Sequence, residues 1–230
     1  MYSDKEKKKL KKAPSRFQRF RGKSEEEVFN IIYDELDWKS TESISGYGST
    51  LEKTIVTRSK LPIFFKKFKI KRLLDIGCGD FNWMKTIIES LEFYKGTDIV
   101  ERIIKENNSK YSKSNIRFVY ENVLEKFNYT KKDFDAILIK DVFVHMPNIN
   151  ILDCLKHFKR SGIKFLIMTN FYEIEKNRDI GSFGMWRPLN FEKPPFNMNK
   201  PLRAILEESE TYTFGKTTYK DKTLSIWQIN

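Results

Sequence analysis

Residues 72–84 read Arg-Leu-Leu-Asp-Ile-Gly-Cys-Gly-Asp-Phe-Asn-Trp-Met, and no other stretch narrows the fold as far. An apolar strand that runs into a Gly-x-Gly turn and then a helix is how an α/β sheet presents backbone to a nucleotide-like ligand. Gly77 and Gly79 permit a tight turn and close approach, and a helix expected over 82–91 would aim free N–H groups and its positive dipole end at the pocket. A second strand-like run, 93–98, ends in Asp98. It lies about 20 residues beyond the glycines, the spacing at which a carboxylate holds ribose hydroxyls.

A dinucleotide fingerprint wants a small residue at position 82, where helix and strand pack closely, but the chain has Asn82 followed by Trp83. That argues against NAD or FAD. Asp75 would repel a pyrophosphate yet attract a cationic amino group, so the cofactor is expected to carry an amine. The pattern resembles the first motif of class I S-adenosylmethionine-dependent methyltransferases, with Asp98 matching their ribose-binding acid. The resemblance implies S-adenosylmethionine as cofactor, held by Asp75, Gly77, Cys78, Gly79, Asp98, Ile99, Asn122 and Val123. Cys78 reads as a small spacer inside the turn rather than a nucleophile. The bland alternative is an ordinary strand-to-helix turn with solvated acids.

Strand candidates at 72–75, 93–98, 116–120, 134–140 and 164–169 alternate with helical stretches near 100–107 and 149–160. Such alternation predicts a parallel sheet with helices on both faces. The last segments, 211–219 and 223–229, are too close for a helical crossover and are expected to pair as a hairpin. The expected fold is therefore α/β: a Rossmann-like class I methyltransferase sheet, mostly parallel, with an antiparallel C-terminal hairpin strand. Upstream, Ser24 with Glu27 three positions on predicts a capped helix over 25–36. A Ser/Gly loop at 38–49 and a helix over 51–68 follow, so 24–68 reads as an N-terminal helical lid within one domain spanning 24–230.

The most chemically loaded strand end is 134–147, where Asp141 and His145 follow the expected fourth strand. In the family this edge faces the transferred methyl group, so these two are the catalytic candidates; a structural histidine at 145 is the competing reading. The third strand leads to Glu121 and Asn122, where family members place an acid against the adenine amine and an Asn carbonyl would serve. Asp141 with Thr169 and Asn170 offers a thin set for a divalent cation, which is not favoured. The Gly-, Pro- and aromatic-rich stretch 180–196 is long enough to build an acceptor pocket, with Trp186 stacking on a sugar or base, Arg187 holding an anionic group and Asn190 beside them. Lys193-Pro194-Pro195-Phe196 follows the wrong strand and lacks the amide or carboxylate that exocyclic adenine methylation requires. Together with Trp38, the 45–49 loop and Asp80-Phe81-Asn82-Trp83, these segments look like a poorly characterised bacterial and viral class I methyltransferase group.

Charge is concentrated at one end. Residues 1–23 hold ten Lys or Arg against Asp4 and Glu6, which accounts for +8 of the net +12. This basic arm is expected to be a disordered tail, or else a grip for nucleic acid. No apolar run approaches the roughly 20 residues of a membrane span. The charged start lacks a secretory signal, and Cys78 and Cys154 form no disulfide framework, so a cytoplasmic location is expected. The leading expectation is O-methylation of a sugar, glycan or other small hydroxylated acceptor. The alternatives are an RNA or DNA methyltransferase and a non-catalytic S-adenosylmethionine-binding scaffold.

Overall fold

The computed structural model describes residues 15–38, 40–125, 127–207, 212–214 and 217–230. Five parallel strands, β1 (Arg72–Ile76), β2 (Phe93–Asp98), β3 (Ile116–Tyr120), β4 (Ala136–Ile139) and β5 (Phe165–Phe171), form most of one sheet. Its order is completed by β9 (Lys222–Gln228) and β6 (Arg203–Leu206) as β3-β2-β1-β4-β5-β9-β6, with β9 antiparallel to both neighbours. All of β4 and β5 is buried, as expected of strands covered on both faces. The chain leaves β1 toward β2 and β3, then returns to β4 on the other side. The carboxyl ends of β1 and β4 thus mark the switch point where open α/β sheets bind ligands.

One face of the sheet packs under α3 (Ile55–Phe68) and α4 (Glu101–Tyr111) in a core that includes Leu61, Phe65, Phe81 and Tyr94. The other packs under α5 (Asn148–Ser161), around Ile151, Phe158 and Leu189. The helix expected over 25–36 is α2 (Glu25–Asp34), with Ser24 and Glu27 forming a reciprocal capping box. The helix expected over 51–68 begins at Ile55, residues 51–54 being turns.

Two expectations are corrected. No helix follows the glycine turn; Met84–Thr86 and Ile88–Ser90 are short 3₁₀ turns. Phe81 has φ of 59°, and Trp83, Thr86, Ile87 and Ile88 are poor helix formers. The segment is instead held by side-chain contacts: Asn82 Nδ2 donates to Glu42 at 2.6 Å and to the Ser49 carbonyl at 3.2 Å. The second correction concerns the hairpin. Residues 212–214 (β7) and 217–219 (β8) pair with each other in a separate two-stranded sheet, and β9 pairs antiparallel with β5 and β6 instead. With the pattern exposed-exposed-buried-exposed, β6 is too short to show a strand period.

The basic arm divides. Residues 1–14 lie outside the described residues, whereas α1 (Arg16–Phe20) is a helical turn closed by a Ser15–Gln18 capping box. Phe20 is fully buried against Val28 and Ile32, and its carbonyl accepts from the Ser182 hydroxyl at 2.9 Å. A disordered tail therefore does not describe residues 15–23. Phe20→Ala is expected to cost about 3 kcal/mol, the lower end for emptying a buried aromatic site, as measured by denaturant unfolding.

Candidate active site

A cavity of about 250 Å³ opens at the carboxyl edge of the sheet, between the ends of β1, β2, β4 and β5 and the N-terminal segment. Gly77 and Gly79 lie on its floor with φ of 71° and 54°. A Cβ on Gly77 would sit 2.4 Å from Val142 Cγ2, and one on Gly79 1.9 Å from Ser45 Oγ. The N–H groups of Gly77 and Cys78 both donate to the Thr97 carbonyl, at 2.8 and 3.0 Å, which draws the turn toward β2. Asp98 closes the turn from β2. Its carboxylate accepts from the Gly79 N–H and the Val100 N–H, both at 3.0 Å, and it lines the cavity with Ile99. Burial raises its pKa against these bonds, which lower it.

Cys78 is buried, its thiol pushed well up by burial and the nearby Asp98 and Asp75, and its Sγ lies 2.8 Å from where a Cβ on Gly96 would stand. The thiol packs β1 against β2, in keeping with a spacer. Asp75 is not at the cavity. It is buried beneath the turn, accepts from the Tyr94 hydroxyl at 2.7 Å, and burial lifts its pKa to about 7. It braces the strand where an amine-binding role was expected.

Asn122 and Val123 line the cavity beyond β3. The Asn122 side-chain oxygen accepts from the Leu124 N–H at 2.9 Å, and Glu121 accepts a short hydrogen bond from the Tyr129 hydroxyl.

At the end of β4, His145 sits in a 3₁₀ turn and lines the cavity. Its Nδ1 lies 3.0 Å from the Met185 carbonyl, which can only accept, so Nδ1 carries the proton and the Nε2 lone pair is the ring's acceptor. Trp38 lies over the ring, with centroids 5.4 Å apart. Burial lowers the His145 pKa to about 4, with Arg16 and Arg187 adding to the effect. The imidazole is therefore neutral at neutral pH.

Asp141 has φ of 59° and is partly buried, its carboxylate bonded through both oxygens. Its Oδ2 accepts from Lys140 Nζ at 2.6 Å and Lys222 Nζ at 3.0 Å, and its Oδ1 from the Thr169 hydroxyl at 3.0 Å. Burial alone would raise its pKa, but the two ammonium groups hold the carboxyl well below its ordinary value. Glu207 completes a four-charge cluster, 3.3 Å from Lys222 and 3.7 Å from Lys140, and accepts from the Thr57 hydroxyl at 2.6 Å. Asp141 lines the cavity, and a carboxyl held so low by two ammonium groups is a poor proton acceptor. The divalent-cation set does not assemble either: Asn170 Oδ1 accepts from the Phe191 N–H at 2.8 Å, and Lys140 and Lys222 occupy the position a cation would take. Among the described residues no group of three or more His, Cys, Asp or Glu is placed to hold a metal.

Of the expected acceptor contacts, Trp186 lines the cavity with Phe171 and Phe183. Arg187 and Asn190 do not, which corrects their expected roles. Arg187 is buried, donating to the Phe143 carbonyl at 2.7 Å and Asn148 Oδ1 at 2.8 Å. Asn190 donates to the carbonyls of Tyr172 and Ile174, at 3.1 and 2.9 Å. Both fold the long loop onto the domain. A polar residue in a Gly/Pro/aromatic loop reads the same from sequence whether it serves a ligand or the loop's own backbone.

Residues missed by sequence reasoning are Lys140, Lys222 and Glu207, and the stripe Glu25, Phe29 and Tyr33 of α2, which lines the cavity. The i, i+4, i+8 spacing of the stripe was legible, but it did not say which surface the helix faces. No helix among the described residues is long and apolar enough to cross a membrane.

Residues 73–161 match a family described as a methyltransferase domain. Among solved structures, magnesium protoporphyrin IX methyltransferase from Synechocystis PCC 6803 with bound SAM is similar at TM-score 0.58 and 11% identity, over 90% of this chain and 98% of that one. The N-methyltransferase NodS from Bradyrhizobium japonicum WM9 is similar at TM-score 0.51 and 12% identity, over 76% and 96%. The methyltransferase domain of bacterial CtHen1 aligns at TM-score 0.45 and 15% identity over 51% of this chain; this chain spans 66% of its length. No curated protein matches the chain in sequence.

Proposed function

We propose that the chain is a class I, S-adenosylmethionine-dependent methyltransferase that methylates a hydroxyl oxygen of a sugar, a glycan or another small hydroxylated acceptor. In this reading Gly77, Gly79, Asp98, Ile99, Asn122 and Val123 hold the donor. The segment 24–68 acts as a lid, and Trp186 with Trp38 provides aromatic faces for the acceptor.

One observation carries the choice of oxygen: a neutral imidazole at the cavity, fixed through Nδ1–H to the Met185 carbonyl so that Nε2 is the acceptor. Methyl transfer is an in-line displacement in which an acceptor lone pair forms a C–O bond as the C–S bond of the sulfonium breaks, with the electron pair leaving on sulfur. The hydroxyl proton becomes strongly acidic as the oxygen gains the methyl group. A base of pKa about 4 is strong enough to receive it, and the hydrogen bond to Nε2 orients the attacking lone pair beforehand.

His145→Ala is expected to lower kcat by about 10²–10⁴-fold with donor affinity nearly unchanged, measured by labelled methyl transfer to a panel of sugars and phenols. An unchanged rate would reject His145 as the base. Activity needs the neutral ring, so it is lost as pH falls through the folded pKa. The acid limb of kcat/KM, which reports the free enzyme, is therefore expected near pH 4, below the ordinary histidine value of 6.5. A limb near 6.5 would mean the ring is solvated in the working enzyme.

A second reading, a nucleic acid acceptor, draws support from Arg16, which brings the inner end of the basic arm to the cavity rim. Removing residues 1–14 tests it while leaving α1 in place. Salt-dependent nucleic-acid affinity that disappears with the arm would favour this reading, and unchanged activity and affinity would count against it.

A further inference from the structure

The α2 stripe is not used by the chemistry above. Glu25, Phe29 and Tyr33 face the cavity at successive helical turns. Contacts outside the cavity seat this helix across the donor end of the sheet. Glu26 accepts from the Tyr120 hydroxyl at 2.7 Å, Tyr33 donates to Glu106 at 2.9 Å, and Arg102 pairs with Asp34 at 2.6 Å. The helix is thus fixed to β3 and α4, the elements that border the strand end after β3, where the methyltransferase resemblance implies the donor's adenine.

Asn122, the residue expected to receive the adenine amine, is already engaged. Its side-chain oxygen accepts from the Leu124 N–H, and it lines the cavity together with Glu25, close enough to lower that carboxyl's pKa. Glu25 lines the cavity and is half-buried; burial raises its pKa, the Asn122 side chain lowers it, and the like charges of Glu125 and Glu26 add to the rise. A half-buried carboxylate that lines the cavity beside Asn122 is placed to accept from a hydrogen-bond donor of the ligand. The exocyclic amine of a purine supplies one.

We propose that Glu25, outside the matched segment 73–161, is the residue that reads the donor's base: its carboxylate accepts the adenine amine, and Asn122 positions it. This rests on S-adenosylmethionine occupying the cavity.

The test compares S-adenosylhomocysteine with its inosine counterpart, in which a carbonyl oxygen replaces the amine and would face the carboxylate. Binding of each to wild type, Glu25→Gln, Glu25→Asp and Glu26→Gln is measured calorimetrically on protein shown to be folded. Wild type is expected to prefer the adenine form by at least about tenfold, because the wrong ligand leaves buried polar groups unpaired. Glu25→Gln should collapse that ratio toward one, since an amide can donate to the inosine oxygen, whereas Glu25→Asp should retain most of it. Glu26→Gln keeps an acceptor for the Tyr120 hydroxyl and should leave the ratio unchanged. A ratio unchanged in Glu25→Gln would overturn the proposal and leave the donor assignment standing. Binding of neither ligand by wild type would overturn both.

Discussion

Asp98→Ala is expected to weaken S-adenosylmethionine binding by roughly 100-fold or more, on the scale of two charge-assisted hydrogen bonds lost from a buried site. The carboxylate has two jobs that one substitution removes together. It accepts from the backbone N–H groups of Gly79 and Val100, each at 3.0 Å, and so holds the glycine turn against β2. It also lines the cavity, where under the proposed function it receives the ribose diol of the donor. Asp98→Asn separates the two, because an amide oxygen can keep one backbone bond while the charge is lost, and an intermediate affinity is expected. Calorimetric titration with S-adenosylmethionine and, separately, NAD measures both variants. Wild-type affinity in Asp98→Ala would show that the donor is held elsewhere.

Lys222→Met is expected to destabilise the fold by about 3–5 kcal/mol, the cost of removing one partner from a buried ion pair. Lys222 lies between Asp141 Oδ2 at 3.0 Å and Glu207 Oε2 at 3.3 Å, with its own side chain 3% exposed and that of Glu207 1% exposed. Without it, two carboxylates share Lys140, and burial favours protonation of one of them. The consequence has a sign that can be checked. In wild type the depressed Asp141 carboxyl adds stability that is fully present above its ordinary pKa of 3.8 and is lost only in stronger acid. In the variant the carboxyls regain protons at higher pH, so stability measured by denaturant unfolding should fall less steeply on acidification. Adding Glu207→Gln to Lys222→Met should restore part of the loss. A melting temperature unchanged by Lys222→Met would mean that water already screens the cluster.

The glycine turn and its acid were legible because their chemistry is local in sequence: a strand, two residues needing φ above zero and a carboxylate at the end of the next strand. The α2 cap was legible for the same reason, since Ser24 and Glu27 satisfy each other's backbone within one turn. The parallel sheet followed from strand and helix periods, although the segment after Gly79 did not become a helix and β6 went unread.

Chain-distant contacts decided the rest. Asp141 is held low first by its neighbour Lys140 and then by Lys222, 81 residues away, and His145 owes its tautomer to Met185, 40 residues away. Arg187 and Asn190 were assigned to a ligand by residue type, yet each is taken up by backbone carbonyls that only the folded loop brings near. By itself the sequence determined the donor-site turn and the layered α/β architecture, because backbone permissiveness and hydrophobic period act over a few residues. Only the tertiary structure decided which buried charges compensate one another, which nitrogen of His145 holds the proton and which helix borders the base, because burial and Coulomb energy depend on distances that no local pattern records.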